Sequence, residues 1–305
     1  MRANAEYVPP YGSGGSMYIR PFLVGSGPIL GLQPCNEFQL MVSVTPVGNY
    51  FGKGGLKGIH ANVMVDFDRA APHGTGDVKA GGNYAADLLP LKQAKEAGFG
   101  TTLYLDCKER KCVGQPSNCP PPLPAHASYP MPLTHASYSC PRLYLPLAAS
   151  TLASPRYPPP RYSPPARTRL CLGTPTDLLW PRLGRYIEEF SVSNFLGISA
   201  SGAYVTPSSG SILPSITNQM LMQLARDAGL KVEHRPVEYS ELPSFKEVGA
   251  CGTATVVAPI ASITDAEGKH EFPTFEVLNK LRMQLQKVQY GEAEDKHGWM
   301  QEVSC

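Results

Sequence analysis

Lys79 is the residue with the most chemistry within reach. It stands in Val78-Lys79-Ala80-Gly81-Gly82-Asn83-Tyr84, where paired glycines let the backbone crowd a ligand. A lysine amine stripped of water has a lowered pKa and can form a Schiff base with an aldehyde. The bland alternative is a solvated loop lysine, which composition by itself favours. Glu188-Glu189 precede Phe190-Ser191-Val192-Ser193-Asn194-Phe195. A carboxylate here could pair with the protonated ring nitrogen of a cofactor, or simply edge a strand in solvent. Leu213-Pro214-Ser215-Ile216-Thr217 opens a helix whose free N–H groups and dipole suit a phosphate, as those of any helix start would. Gly249-Ala250-Cys251-Gly252-Thr253-Ala254 reads as a small-residue turn, able to offer N–H groups to an anion or merely to turn the chain before a strand.

These residues need elements to hold them. Met17–Arg20 and Gln39–Val44 are short β-rich runs bounded by Gly and Pro,. After the Lys79 turn a helical stretch runs to Gly98, broken or bent near Pro90, and Thr101–Leu105 follows as a strand. Phe195–Val205 has the pattern of a hairpin turning at Ser201-Gly202. A helix is expected from about Ile216 to Ala228, with Leu221, Leu224, Ala225 and Ala228 on one face and Gly229 as its stop. Thr253–Ile263 suits a buried strand. A last helix from about Thr274 to Tyr290 carries Leu278, Leu281, Leu285 and Val288 at helical spacing, most simply as core.

Composition removes several function classes. A net charge of +2 gives no electrostatic case for nucleic acid or an anionic membrane, and no apolar run reaches the roughly 18 residues of a membrane span. Met1–Gly15 lacks the features of a signal or transit peptide. Of the eight cysteines, Cys107, Cys112, Cys119, Cys140 and Cys171 lie in or beside one odd central segment. No C-x-x-C occurs and their spacing fits no common zinc pattern, so reduced thiols and no metal are expected. Between Cys112 and Arg185 roughly half of the 31 prolines gather, Asp177 is the only acid and every base is arginine. This Pro-rich insertion, 112–185, is expected to be disordered, with Pro155–Pro165 as a candidate polyproline II ligand. The text reads smoothly when Lys111 is joined to Tyr186.

Tyr18-Ile19-Arg20-Pro21, Lys79 to Tyr84, Glu188 to Phe195, Leu213 to Thr217 and Gly252-Thr253-Ala254, in that order, resemble the branched-chain aminotransferases of the class IV aminotransferase family. The likeness covers Ala3 to Asp106 and Tyr186 to Val303, about three quarters of the chain. It implies an α+β, type IV pyridoxal-phosphate fold, similar to D-amino acid aminotransferase. The implied domains are a small-domain remnant at 1–75 and a large cofactor-binding domain at 76–111 and 186–305.

By that resemblance, Lys79 holds pyridoxal phosphate covalently and later carries the proton between Cα and C4′. Tyr84 would bond the cofactor's phenolate oxygen. Glu189, five residues before Asn194 as the family pattern asks, would keep the ring nitrogen protonated, with Asn194 also at the cofactor. Ile216, Thr217 and Thr253 would hold the phosphate. The Thr253-Ala254 amides would face the substrate carboxylate, and Tyr18 and Arg20 would recognise substrate, Arg20 meeting the side-chain carboxylate of glutamate. The implied reaction passes the amine of leucine, isoleucine or valine to 2-oxoglutarate, in a homodimer that is cytoplasmic or mitochondrial. The resemblance starts with the small domain already advanced, beyond an arginine that grips the cofactor phosphate in the family. One such charge-assisted contact is worth about 1.5–3 kcal/mol. Other type IV enzymes, D-amino acid aminotransferase or aminodeoxychorismate lyase, and a non-catalytic scaffold displaying the Pro-rich segment, stand as alternatives.

Overall fold

The computed structural model describes residues 2–48, 57–108, 111–112, 182–183 and 185–303. Residues 1–113 and 181–305 belong to one compact unit. The expected disorder and polyproline II character of the insertion, and Cys119, Cys140 and Cys171, lie outside the described residues.

The chain begins with β1 (Ser16–Ser26) and β2 (Glu37–Val47), then β3 (Ile59–Met64), α1 (Gly81–Glu96) and β4 (Thr101–Leu105). Two-residue strands β5 (Lys111–Cys112) and β6 (Arg182–Leu183) pair with each other and lead into β7 (Tyr186–Phe190) and β8 (Ser193–Ile198). There follow β9 (Tyr204–Pro207), α2 (Ile216–Asp227), β10 (Val232–Arg235) and β11 (Val237–Glu238). The chain ends through β12 (Glu247–Gly252), β13 (Val256–Thr264), β14 (Lys269–Glu271) and α3 (Glu276–Gln289).

Six strands close on themselves. β8 pairs with β12, β12 with β13, β13 with β3, β3 with β4, β4 with β7, and β7 returns to β8. Closure removes the exposed edges that an open sheet would leave. The parallel neighbours β3 and β4 are joined by α1, the helical crossover that a parallel pair requires,. Strand alternation gives the sheet two cores. Phe195, Val205, Ala250, Phe190 and Ile260 fill one, while Leu196, Tyr204, Cys251 and Val257 face α2 and α3. The two amphipathic helices bury the stripes their sequences carry: Leu221, Leu224 and Ala225 on α2; Leu278, Leu281, Leu285 and Val288 on α3. Ser215 Oγ caps α2 by accepting from Asn218 N at 3.2 Å, and Gly229, at φ 77°, ends it,. The buried Glu247 carboxylate accepts from Val277 N at 3.0 Å and Leu278 N at 2.9 Å, capping α3 from the neighbouring strand.

Several expectations need correction. Helix α1 runs unbroken through Pro90, whose ring is buried against the sheet together with Asp87 and Ala94; tertiary packing offsets the missing bond to the Ala86 carbonyl. Gly249–Gly252 is strand β12, and the turn is confined to residues 253–255, so the buried strand starts at Val256 instead of Thr253. Small residues there serve close packing: a Cβ on Gly249 would meet Leu278 at 3.0 Å and Leu196 at 3.1 Å. β1 and β2 run well beyond the short segments expected and form an eleven-pair antiparallel ladder, with Pro21 inside β1. Pro is tolerated in a two-stranded sheet because each strand has a free edge. β3 carries no strong sequence signal, yet it sits in the middle of the barrel.

Candidate active site

The barrel seam is also where the predicted acid lies. β7 and β8 form a hairpin in which Glu189 pairs with Asn194 and Phe190 with Ser193, leaving Ser191 and Val192 as the turn. The five-residue spacing of Glu189 and Asn194 is therefore the geometry of a two-residue turn. On its other side β7 pairs Leu103 with Phe190 and Leu105 with Ile187, so that Glu188 and Glu189 together oppose Tyr104. Two residues against one is a β-bulge. Ile187 and Phe190 both enter the core, and the bulge lets two consecutive glutamates avoid it.

Both carboxylates are buried, and each has its own partners. Glu188 accepts from Ser209 Oγ at 3.1 Å and from Ser211 Oγ. Burial raises its pKa, against the pull of those hydroxyls. Glu189, 3% exposed, accepts from the Leu213 amide at 3.2 Å, contacts Asn194 Nδ2 at 3.4 Å and is ion-paired with Arg69. Burial pushes the Glu189 carboxyl up to about 7, although the Arg69 guanidinium pulls the other way and the Lys79 charge does so more weakly. Asn194 Nδ2 also donates to the Leu213 carbonyl at 2.8 Å, tying the seam to the segment that opens α2.

Arg69 is a site residue that the sequence reading missed. It donates to the carbonyls of Ser211 at 2.5 Å and Gly76 at 3.2 Å besides meeting Glu189, and its Nε is buried without a hydrogen-bond partner. Gly76 is needed for this approach, since a Cβ there would collide with the Ser211 oxygen. Ten residues before Lys79 in an irregular stretch, an arginine gives no periodic signal.

Lys79 lies just ahead of α1. Its Nζ donates to Tyr84 OH at 2.9 Å and stands 5.3 Å from the ring centre. Asn83 holds the loop in place, donating from Nδ2 to the carbonyls of Thr75 at 2.6 Å and Val78 at 2.9 Å and accepting from Thr75 Oγ1 at 2.9 Å. A Cβ on Gly81 or Gly82 would meet nothing within 4 Å, so the space beside the lysine is open. Lys79 is exposed. The desolvation expected of it is not met by the protein alone, because that open space gives solvent access to the amine.

The remaining candidates are distributed unevenly. Ile216 is 69% exposed and Thr217 buried at the first turn of α2, where the leading amides have no carbonyl ahead of them to bond,. Cys251, beneath this helix start, has its thiol pushed up to about 12 by burial and by the charge of Glu189. Thr253 and Ala254 are exposed in the turn after β12, and a Cβ added to Gly252 would come within 3.9 Å of Ser193 and 4.0 Å of Val192 at the β7–β8 turn. Tyr18 and Arg20 sit on β1, Arg20 Nη2 donating to Tyr18 OH at 3.5 Å with its guanidinium 5.3 Å from the ring. No bond among the described residues joins that pair to Lys79 or to Glu189.

These features fit a phosphorylated pyridine: open volume beside a lysine, a desolvated carboxyl suited to a protonated nitrogen, and unbonded amides at a helix start. Residues 177–263 match the amino-transferase class IV family. The chain is 35% identical to the branched-chain-amino-acid aminotransferase of Helicobacter pylori over 99% of its own length and 68% of that protein's. For the Haemophilus influenzae enzyme of the same name the figures are 33%, 99% and 69%. For the chloroplastic branched-chain-amino-acid aminotransferase 2 of Arabidopsis thaliana they are 32%, 99% and 59%. Among solved structures, the branched-chain amino acid aminotransferase of Escherichia coli superposes with a TM-score of 0.61 at 21% identity, covering 95% of this chain and 71% of that one. The Thermobaculum terrenum branched-chain amino acid aminotransferase in its PLP-form gives 0.55 at 20% identity, covering 91% and 65%. Barrel, seam acid and loop lysine occur together in a chain that belongs to the branched-chain aminotransferases of the class IV aminotransferase family.

Proposed function

We infer that this protein moves the amino group of leucine, isoleucine or valine to 2-oxoglutarate, using pyridoxal 5'-phosphate held at the barrel seam. The observation that carries the reading is Glu189: a buried carboxyl in the seam hairpin, raised to about 7 and within reach of the Lys79 charge. When bound, the cofactor supplies an electron sink through its protonated ring.

The chain's own residues account for the rest. Glu189, as a carboxylate, would pair with the protonated ring nitrogen and favour its charged form. Arg69 and the Leu213 amide keep that carboxylate in place. Lys79 Nζ would hold the cofactor and would be the base for the proton on the substrate Cα. Tyr84 OH accepts from this amine, and its own proton would be available to the ring's phenolate oxygen. The leading amides of α2 at Ile216 and Thr217 receive the phosphate, with Thr253 beside them, while the Thr253–Ala254 amides orient the substrate carboxylate. Asn194 supports Glu189, and Tyr18 and Arg20 meet the second carboxylate of 2-oxoglutarate. A homodimer carries the activity.

Adding pyridoxal phosphate to the wild-type chain should give a visible band at roughly 410–430 nm, the signature of a lysine Schiff base. Lys79→Ala should give no such band and no transamination of leucine. A wild-type protein that develops no band, or a Lys79→Ala variant that retains one, would overturn the reading. Leucine should also outrun D-alanine as amino donor in steady state.

A further inference from the structure

Asp87 is 3% exposed on the sheet side of α1. Its two carboxylate oxygens accept from two different elements: Tyr104 OH of β4 at 2.5 Å, and Ser191 Oγ in the seam turn. Both donors are themselves buried, Tyr104 to 1% and Ser191 to 4% exposure. Burying a carboxylate costs several kcal/mol unless hydrogen bonds satisfy it. An alanine, such as the buried Ala94 two turns on, holds the helix to the sheet without that cost. Packing therefore gives no reason for an acid here.

Its position does. Tyr104 is the residue opposed by the Glu188–Glu189 bulge, and Ser191 follows Glu189 by two positions. Asp87 thus holds at once Tyr104 on β4, opposite the bulge, and the turn that follows the strand carrying Glu189. The same helix begins two residues after Lys79, and Asn83 ties its first turn to the Lys79 loop through Thr75 and Val78. A bonded path runs from the lysine through α1 and Asp87 to the acid.

We propose that Asp87 is a positioning residue for the transfer reaction, its carboxylate between Tyr104 and Ser191 fixing the separation of Lys79 from Glu189. The proposal rests on the transaminase reading above. Misplacing a reacting group by about 1 Å can cost on the order of a hundredfold in rate. Loss of one arm of the clamp, which loosens rather than displaces, should therefore cost about tenfold.

The test compares Tyr104→Phe and Asp87→Asn with the wild-type chain, each loaded with pyridoxal phosphate. Three quantities are read: kcat and KM for leucine, the pH midpoint of the visible band, and amide exchange across residues 79–86 in the cofactor-free protein. The expected result is a fall in kcat of about tenfold with KM little changed, a displaced midpoint, and faster exchange at the lysine loop. Variants that lose melting temperature while kcat, midpoint and exchange stay at wild-type values would reduce Asp87 to a stability residue and overturn the proposal. Should Asp87→Asn fail to fold, Tyr104→Phe, which deletes a single oxygen, decides alone. A wild-type protein that forms no band sinks the transaminase reading and this one with it; a wild type that forms the band beside unaltered variants sinks only Asp87.

Discussion

The closed barrel and the β1–β2 ladder are built from similar β-rich, apolar residues, and they reach opposite ends. In the barrel, Phe195, Leu196, Ile260 and Leu103 are buried completely. In the ladder, eleven consecutive pairs form without one buried residue, and Phe22, Leu23, Phe38, Leu40 and Val42 stay exposed. Backbone pairing and burial are separate achievements. A hairpin satisfies its own N–H and C=O groups locally, whereas removing apolar surface from water needs a second layer. The same division runs through the candidate site. Glu189, Asn194 and Arg69 are held by a network of partners, while the side chains of Tyr18 and Arg20, among the described residues, bond each other alone.

The contrast can be broken most forcefully in the cores. Phe195→Ala should cost about 3–5 kcal/mol of unfolding free energy, because Phe195 packs at 5.8 Å against both Phe190 and Phe245. Phe22→Ala in the ladder should cost no more than about 0.5 kcal/mol. Denaturant titration of the two variants checks this, and equal losses would erase the distinction.

The next effect depends on pH. The folded-state pKa of Glu189, about 7, lies above the 4.5 of the unfolded chain. Below 4.5 both states are protonated and the group contributes nothing. As pH rises toward 7 the unfolded state ionises first, so it binds fewer protons and the cofactor-free protein loses stability, by about 3 kcal/mol in all. Glu189→Gln should lack this slope, as urea midpoints at pH 5 and pH 8 would report. A slope that survives the substitution assigns it to other groups.

Smaller still is Ser215→Ala, which removes the α2 cap and should cost about 1 kcal/mol. It should also weaken pyridoxal phosphate binding by loosening the amides at Ile216 and Thr217, measurable by fluorescence titration. Least of all, Arg20→Ala should leave the melting temperature within a degree or so of wild type while raising KM for 2-oxoglutarate and not for leucine. An unchanged KM for both would detach the ladder from the site.

Where a signal is local, the sequence shows it. The hairpin at Ser201-Gly202, the α2 stop at Gly229 and the stripe of α3 all follow from turn chemistry and helical period,. Glu189 is singled out from Glu188 only through the resemblance, which asks for an acid five residues before Asn194; the two-residue turn supplies the physical reason for that spacing. What escapes is set by contacts across the chain. Arg69 owes its role to a carbonyl and a carboxylate more than a hundred residues away, at 211 and 189. Asp87 is a polar residue on a buried helical face, and only Tyr104 and Ser191 explain it. β12 escapes because Gly-Ala-Cys-Gly reads as a bend until the neighbours that require small residues are known.

The two-residue ladder of Lys111–Cys112 with Arg182–Leu183 has a consequence for evolution of the gene. Where the chain departs from the barrel and where it comes back are clipped side by side, next to the pairing of β4 with β7. A connection as long as 113–181 costs only about 2–3 kcal/mol more closure entropy than one of a few residues would. A clip of this kind would let the intervening stretch vary in length over generations while the strands on either side of it keep their pairing.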